Sequence, residues 1–180
     1  MKKILGIFML IAGIVIAVGA SSANFAYFEA NRTIHVAVVP DDNEFIDLRP
    51  MQDYAYIDDD GTLVIDLTTG NDNWEEGLGE GVSPDSLYVF EEVFGVSNDL
   101  WEKMPICVHI HYTQAPGAGE GTILFFTGDY TGQAGSDTLV FTVDPGEVVK
   151  VGMIIDSAGM VKGDEFSGKI SIDAYAGACD

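Results

Sequence analysis

Hydrophobic and polar residues alternate along much of the chain, which is the pattern of β-strands with one buried face. The alternation is clearest in Thr33–Val38, where Ile34, Val36 and Val38 share one face, and in Pro105–Tyr112. Similar β-rich runs lie at Tyr54–Ile57, Thr62–Leu67, Leu87–Phe94, Thr122–Thr127, Thr138–Val143, Val148–Ile155 and Gly168–Ala176. About nine short strands separated by turns predict an all-β fold, an antiparallel β-sandwich that is jelly-roll-like or of Greek-key type.

The segments between these runs are rich in turn formers. Gly70–Pro84 is the longest polar, glycine-rich stretch and is predicted to be a surface loop. No segment after residue 23 holds a strong 3.6-residue period, so no long helix is predicted. One short helical turn is predicted at Asn98–Met104, which includes Leu100 and Trp101. No internal repeat or long linker interrupts residues 24–180, which are therefore predicted to form one domain.

The first 23 residues depart from this pattern. Two lysines precede an uncharged apolar run from Ile4 to Ala20, and Ser21 and Ala23 fit positions −3 and −1 of a cleavage site. This is the pattern of a secretory signal peptide, so we expect residues 1–23 to be removed and the exported chain to begin near Asn24. The alternative is a retained anchor, since the run is near the lower length limit for spanning a bilayer. Membrane contact is expected only through such an uncleaved leader.

The chain is strongly acidic, with a formal charge of −21. Without the two leader lysines, 6 basic residues face 29 acidic ones, a formal charge of −23. The acidic residues are spread along the chain, which indicates the solvated surface of a folded domain and not a disordered tail. Such a surface is repelled by nucleic acid, so we expect no nucleic-acid partner.

Few residues suggest catalysis or transition-metal binding. His109 and His111 share a strand face with Cys107, a set that could bind zinc or copper, but no fourth ligand is placed by spacing. In the alternative interpretation these side chains simply lie outside, opposite a core face of Ile106, Val108, Ile110 and Tyr112. The chain has no nucleophile elbow, zinc-protease motif or phosphate loop, so no enzymatic activity is predicted.

Cys107 and Cys179 are the two cysteines of the chain. An even pair in an exported protein favours a disulfide, with two free thiols or an intermolecular bridge through Cys179 as alternatives. A bond between them would close a loop of 72 residues of separation. Asn31 begins the one N-glycosylation sequon of the chain, Asn31-Arg32-Thr33.

Acidic turns are the better candidates for ion binding. Asp58, Asp59 and Asp60 place several oxygen ligands on one turn, which suits a hard cation such as calcium. The run lacks the downstream glutamate of an EF-hand, and solvated turns are the alternative. No other cofactor is expected.

Several segments together resemble a known family. Phe25–Val36 is similar to an F-x-x-x-E-A-x-R-x-h-x-V strand, and Asp60–Asp66 to a D-G-x-L-x-h-D strand, where h is hydrophobic. Gly81–Ser86 and Val93–Asn98 are similar to a later G-h-N-P-x-S…V-F-x-h-x-N segment. In these features the chain resembles archaeal secreted proteins with TasA/camelysin-like domains, which are related to archaeal bundling pilins. The cysteine pair departs from that pattern.

The resemblance implies a jelly-roll-like sandwich at the cell surface, acting as a structural subunit of an extracellular filament or biofilm assembly. Relatives polymerise by donor-strand exchange, in which one subunit completes the sheet of the next. The candidate donor strand is residues 24–31, with Phe25, Ala26, Tyr27, Phe28 and Ala30. Donation of this strand would link identical subunits into a homopolymer. Alternatively, the segment is the first strand of its own sheet.

A function from a different class is a monomeric secreted surface module that binds calcium or carbohydrate. It would use the acidic turns together with Trp74 and Trp101. Both tryptophans could equally be packing residues.

Overall fold

The computed structural model describes Ile34, residues 36–117 and residues 119–180. This part of the chain contains nine β-strands and no α-helix. The strands are β1 (Leu48–Pro50), β2 (Ala55–Ile57), β3 (Leu63–Ile65), β4 (Leu87–Ser97), β5 (Ile106–Gln114), β6 (Thr122–Thr127), β7 (Thr138–Val143), β8 (Val148–Asp156) and β9 (Gly168–Ala176). All pairings between them are antiparallel, which confirms the predicted all-β class.

The strands form two packed sheets and a small hairpin. One sheet has four strands in the order β1-β4-β8-β6, and the other has three in the order β7-β5-β9. The remaining pair, β2 and β3, forms the hairpin. From β4 to β9, each successive strand lies in the opposite sheet from the one before it. These repeated crossings give the jelly-roll-like sandwich that the strand pattern predicts.

The core lies between the two sheets and is built from the alternate residues of each strand. Its fully buried members include Phe94 and Val96 of β4, Val108 and Ile110 of β5, and Val151 of β8. The buried polar residues Asn71, Ser97, Asn98 and Ser157 all form side-chain hydrogen bonds. Asn98, which follows β4, donates from its amide nitrogen to the carbonyls of Met104 and Val143 at 2.8 and 3.0 Å and so ties three segments together.

A second apolar cluster covers the outer face of the four-stranded sheet. The Phe126 ring lies over Gly152, where a Cβ atom would come within 2.3 Å of the ring. Tyr130, in the loop after β6, packs against the same ring with centroids 5.4 Å apart. Gly135 from that loop lies close to Leu124 and Ile154. The loop therefore folds back over the sheet and buries a face that would otherwise meet solvent.

Three strands, β6, β7 and β9, have the predicted bounds, and β2, β3, β4, β5 and β8 agree with the prediction within a few residues. Strand β1 has no predicted counterpart. The predicted strand Thr33–Val38 is wrong for its described residues: Ile34, Val36 and Val38 are irregular and 86%, 84% and 100% exposed. Asn98–Met104 forms a turn, closed by the Lys103 amide on the Leu100 carbonyl, and no helix. No helix able to cross a membrane occurs in the described part of the chain.

Candidate functional site: the edge of the three-stranded sheet

Strand β9 forms one edge of the three-stranded sheet and, among the described residues, pairs only with β5. On the opposite side, the two sheets are joined by an isolated bridge. There Ser136, just before β7, exchanges main-chain hydrogen bonds of 2.8 and 3.0 Å with Phe125 of β6. On the β9 side, the other sheet ends in β1, which pairs with only three residues of β4. Among the described residues, β9 is thus the longest terminal strand, with nine residues that pair on one side only.

The hydrogen bonds that flank β9 show which of its backbone groups face outward. The Ala115 amide donates to the Ser167 carbonyl at 2.9 Å, and the Gly177 amide donates to the Pro105 carbonyl at 2.8 Å. Both are pairs of directly opposite residues in the β5–β9 register. Such pairs recur at every second residue of an antiparallel ladder, so the odd-numbered residues of β9 bond to β5.

The even-numbered residues of β9 therefore direct their N–H and C=O groups away from β5. They are Gly168, Ile170, Ile172, Ala174 and Ala176. A row of this kind is a template for another extended chain, which would add as a fourth strand.

The same even-numbered residues carry the apolar side chains that pack on the core. Ile170, Ile172 and Ala174 contact the core cluster yet are only half-buried, whereas Val108 and Ile110 of the neighbouring β5 are completely buried. The core is consequently less well covered beneath the edge strand than at the centre of the sheet. An added strand with apolar side chains on its inner face would cover it further.

Tyr112 lies at one end of this edge. It projects from β5 into the core, packs beside Phe125 with ring centroids 6.3 Å apart, and reaches over Gly168 of β9. A Cβ atom on Gly168 would lie 2.3 Å from Cε2 and 2.5 Å from the hydroxyl oxygen of Tyr112. Burial raises the pKa of the Tyr112 hydroxyl. The sequence pattern assigns Tyr112 only to the core face, and no local signal marks its hydroxyl.

The predicted disulfide between Cys107 and Cys179 is formed. Cys107 pairs with Tyr175 of β9 on one side and Thr142 of β7 on the other. The Cys179 amide donates to the Thr142 hydroxyl at 3.0 Å. The tail that follows β9 is therefore fastened across the outer face of all three strands, and the covalent bond holds the end of the edge strand against β5.

The described residues before the sandwich offer an apolar, unpaired stretch. Ile34, Val36 and Val38 alternate in sequence and are almost fully exposed. Among the described residues, the first amide bonded to the sandwich is that of Asp41, which donates to the Gly61 carbonyl at 2.9 Å. The predicted donor residues Phe25, Ala26, Tyr27, Phe28 and Ala30, the sequon at Asn31 and the leader lie outside the described residues.

The histidines of β5 are not assembled into a metal site. The His109 ring packs against Tyr175 at 5.3 Å, His111 Nδ1 lies 3.0 Å from the Thr138 hydroxyl, and Cys107 is in the disulfide. In residues 34, 36–117 and 119–180, no group of three or more histidine, cysteine, aspartate or glutamate side chains is placed to hold a metal ion.

The calcium candidates Asp58, Asp59 and Asp60 form the turn of the β2–β3 hairpin. An oxygen of the Asp58 carboxylate accepts from the amides of Asp60 and Thr62 at 3.0 and 2.8 Å. Gly61 completes the turn at a φ of +83°. The order Asp-Asp-Asp-Gly is thus explained by the turn itself.

The two tryptophans differ in their surroundings. The indole N–H of Trp74 donates to the Gly79 carbonyl at 3.1 Å and so closes its own loop. Trp101 is 85% exposed and meets the half-exposed ring of Phe45 edge-on, with centroids 6.1 Å apart. Of the two tryptophans, Trp101 therefore presents the larger aromatic surface to solvent.

A family model described as "Protein of unknown function (DUF1102)" matches residues 38–179. The chain belongs to the DUF1102 family. The match begins at Val38, which is also the first residue of the compact unit Val38–Asp180. The DUF1102 match therefore spans the sandwich and its open edge, and the candidate donor strand precedes it. Searches of curated proteins and of solved structures found no match.

Proposed function

We propose that this protein is a structural subunit of an extracellular filament or cell-surface assembly that polymerises by donor-strand exchange. The observation that carries the proposal is the open edge of β9, where five residues direct backbone groups outward above a half-covered core. The donor is the N-terminal segment of a neighbouring subunit, freed by removal of the leader. The resemblance to TasA/camelysin-like proteins points to the same kind of assembly.

The chain before the sandwich is long enough to reach a neighbour. Fully extended, the roughly 17 residues from Asn24 to Pro40 would span about 55–60 Å. A domain of this size has a radius of gyration of about 14 Å. The segment would therefore extend beyond its own domain and lie along the edge of another.

Backbone pairing and side-chain burial would both be needed. An added strand forms up to about ten hydrogen bonds with the outward groups of β9, at about 0.5–1.5 kcal/mol net each. Association itself costs about 4–15 kcal/mol, so pairing alone leaves little surplus. In an extended strand Phe25 and Tyr27 share one face, and burying each of them contributes up to about 1.5–3 kcal/mol. The aromatic side chains of the donor thus decide whether the polymer is stable.

Deletion of residues 24–30 tests the donor. The mature protein is purified, and its assembly is followed by sedimentation and negative-stain electron microscopy. We expect the deletion variant to fold but not to form filaments. A matched control replaces two exposed apolar residues elsewhere, Leu78→Ser and Val161→Ser, and should assemble normally. Filaments from the deletion variant would rule out donation by this segment, and loss of folding would show that the segment is a strand of its own domain.

Hydrogen exchange tests the acceptor edge residue by residue. In the unassembled protein, the amides of Ile170, Ile172 and Ala174 should exchange fast, whereas those of Ser171 and Asp173, which bond to β5, should be protected. In filaments the even-numbered amides should become protected as well. Fast exchange at these amides in filaments would exclude β9 as the acceptor.

A proline pair provides an independent test of the same edge. Ala174→Pro removes an outward amide of β9 without removing a bond to β5. Val140→Pro on β7 is its control. The Tyr112 amide donates to the Asp137 carbonyl, and these two residues are directly opposite in the β5–β7 register. The odd-numbered residues of β7 therefore bond to β5, and the amide of Val140 points away from β5. Assembly should be lost in the first variant and retained in the second, and the reverse result would make β7 the acceptor.

The exposed pair of Phe45 and Trp101 favours a second candidate function, that of a monomeric module binding carbohydrate. Aromatic rings with one free face are suited to apolar contact with a ligand. This function predicts a monomeric mature protein whose binding to a glycan array is abolished by Trp101→Ala and unaffected by Trp74→Ala. A filament-forming protein without such binding would exclude it.

A further inference from the structure

We propose that oxidation of Cys107 and Cys179 is a maturation step that must precede assembly, because the reduced subunit does not hold the end of β9 in place as an acceptor. The inference rests on the function proposed above, and it adds a redox control to that function. The disulfide acts on one end of the acceptor edge, while the rest of the sandwich stays folded without it.

The first observation is the weak anchoring of β9 at the end nearest the disulfide. The core-facing residues of β9 are Ile170 and Ile172 in the middle of the strand, but Ala174 and Ala176 towards this end. Ala176 is exposed and does not contact the core cluster. An alanine side chain buries much less apolar surface than an isoleucine, so it holds the strand less firmly. This end therefore depends mainly on its hydrogen bonds to β5.

The second observation is that the disulfide acts at this same end. Cys107 lies on the central strand β5, directly opposite Tyr175 of β9. After β9 the backbone of Gly177 has a φ of +105°, a conformation that suits glycine, and Cys179 then reaches Cys107. Three residues separate Tyr175 from Cys179. The bond thus forms a short clamp between the end of the edge strand and the strand beside it.

Reduction removes the clamp and leaves the end of β9 paired on one side only. Chain ends detach easily unless something ties them down, and segments with few buried contacts open at a lower free energy than the whole domain. The last residues of β9 should therefore separate from β5. Ala174 and Ala176 are two of the five residues whose backbone groups face outward. A donor strand would then find a shorter edge, and assembly would need a higher concentration of protein.

The chemistry is thiol–disulfide exchange. In maturation, the two thiols pass two electrons and two protons to the disulfide of an exchange partner, which leaves as a dithiol. In the reverse direction, a reducing dithiol attacks Cys179, which is half-buried, in preference to the buried Cys107. Cys107 leaves as a thiolate and takes up a proton, and the second thiol of the reagent then releases Cys179. Thiols remain reduced in the cytosol, so subunits would not assemble before export.

Hydrogen exchange of the unassembled mature protein tests the clamp itself. Odd-numbered amides of β9 bond to β5, so the Tyr175 amide reports on the clamped end and the Ser171 amide on the middle of the strand. Reduction with a dithiol should raise the ratio of the Tyr175 rate to the Ser171 rate by about tenfold or more. An unchanged ratio, or unfolding of the whole protein, would overturn the inference, because the bond would then support the sandwich as a whole.

Sedimentation tests the effect on assembly. The critical concentration should rise about tenfold in reduced wild type and in the double variant Cys107→Ala, Cys179→Ala, the effect of one or two lost hydrogen bonds. Reoxidation should restore the wild type and leave the variant unchanged. Gly152→Ala is the matched control, since its collision with the Phe126 ring destabilises the sandwich away from β9. It should assemble at the wild-type concentration.

An unchanged critical concentration after reduction would overturn the inference. If this result accompanies loss of assembly on deletion of residues 24–30, donor-strand exchange stands and only the redox control fails. The same rise in Gly152→Ala would show that lower stability anywhere in the sandwich impairs assembly, and would also overturn it. An oxidised mature protein that never assembles would refute both the control and the proposed function.

Discussion

Removal of the disulfide between Cys107 and Cys179 should cost the sandwich a large part of its stability. The bond closes a loop with a sequence separation of 72. In the chain-entropy account, a loop of this length restricts the unfolded chain by about 4 kcal/mol. Typical domains are stable by about 5–15 kcal/mol, so the double variant Cys107→Ala, Cys179→Ala should remain folded but with little reserve.

Urea unfolding measures this difference. With an m-value of about 2 kcal/mol/M, the midpoint should fall by about 2 M. Reduction of the native protein should reproduce most of the shift, whereas the same reductant should leave the double alanine variant unaffected. A loss of stability below about 1 kcal/mol in both experiments would refute the reasoning, since it would mean that the cross-link does not restrict the unfolded chain.

Three further substitutions test other features of the structure. Gly152→Ala should destabilise by about 1–3 kcal/mol, because its Cβ would collide with the Phe126 ring; a neutral effect in chemical denaturation would contradict that packing. Asn98→Ala should cost about 2–4 kcal/mol by leaving buried carbonyls unpaired, whereas the exposed Asn73→Ala should cost less than about 1 kcal/mol by the same measurement. Partial desolvation and two nearby aspartates raise the pKa of Glu44, so its charged form destabilises the fold, and stability is gained as the pH falls through that raised pKa. Glu44→Gln should therefore raise the melting temperature at pH 7 but not at about pH 3, where the wild-type carboxyl is protonated; an equal gain at both values would exclude the electrostatic cause.

The strands were predictable where alternation is bounded by turn formers. Thr122–Thr127 and Gly168–Ala176 are examples, since a period of two and flanking turns are both local properties. Strand β1 (Leu48–Pro50) was missed because three residues that include a proline carry no periodic signal. Thr33–Val38 has the periodic signal but no strand in its described residues. Alternation indicates that a segment is suited to a β-sheet. It does not indicate whether that sheet belongs to the same chain or to another one.

The candidate site was less accessible to sequence reasoning. An edge strand and a central strand alternate alike, so the pattern of Gly168–Ala176 does not reveal its position in the sheet. The charges of Lys169 and Asp173 are of the kind found on exposed edges, but they are a weak signal. The buried Tyr112 hydroxyl has no hydrogen-bond partner among the described residues, which depends on the groups that surround it in three dimensions, and no spacing along the chain encodes that. The disulfide was predictable, since the two cysteines form an even pair.

The position of the disulfide also bears on mechanics. In a filament linked by donated strands, tension would enter each subunit near Pro40 and leave through β9. If a subunit unfolded under load without the bond, the roughly 130 residues between these points would stretch to roughly 450 Å. With the bond intact, the path runs from Pro40 to Cys107, crosses to Cys179 and returns to β9, which limits the extension to roughly 250 Å. The cross-link would thus limit how far an unfolded subunit can extend. A fibre of such subunits would lengthen by about half as much as one without the disulfide before the covalent chain carried the force.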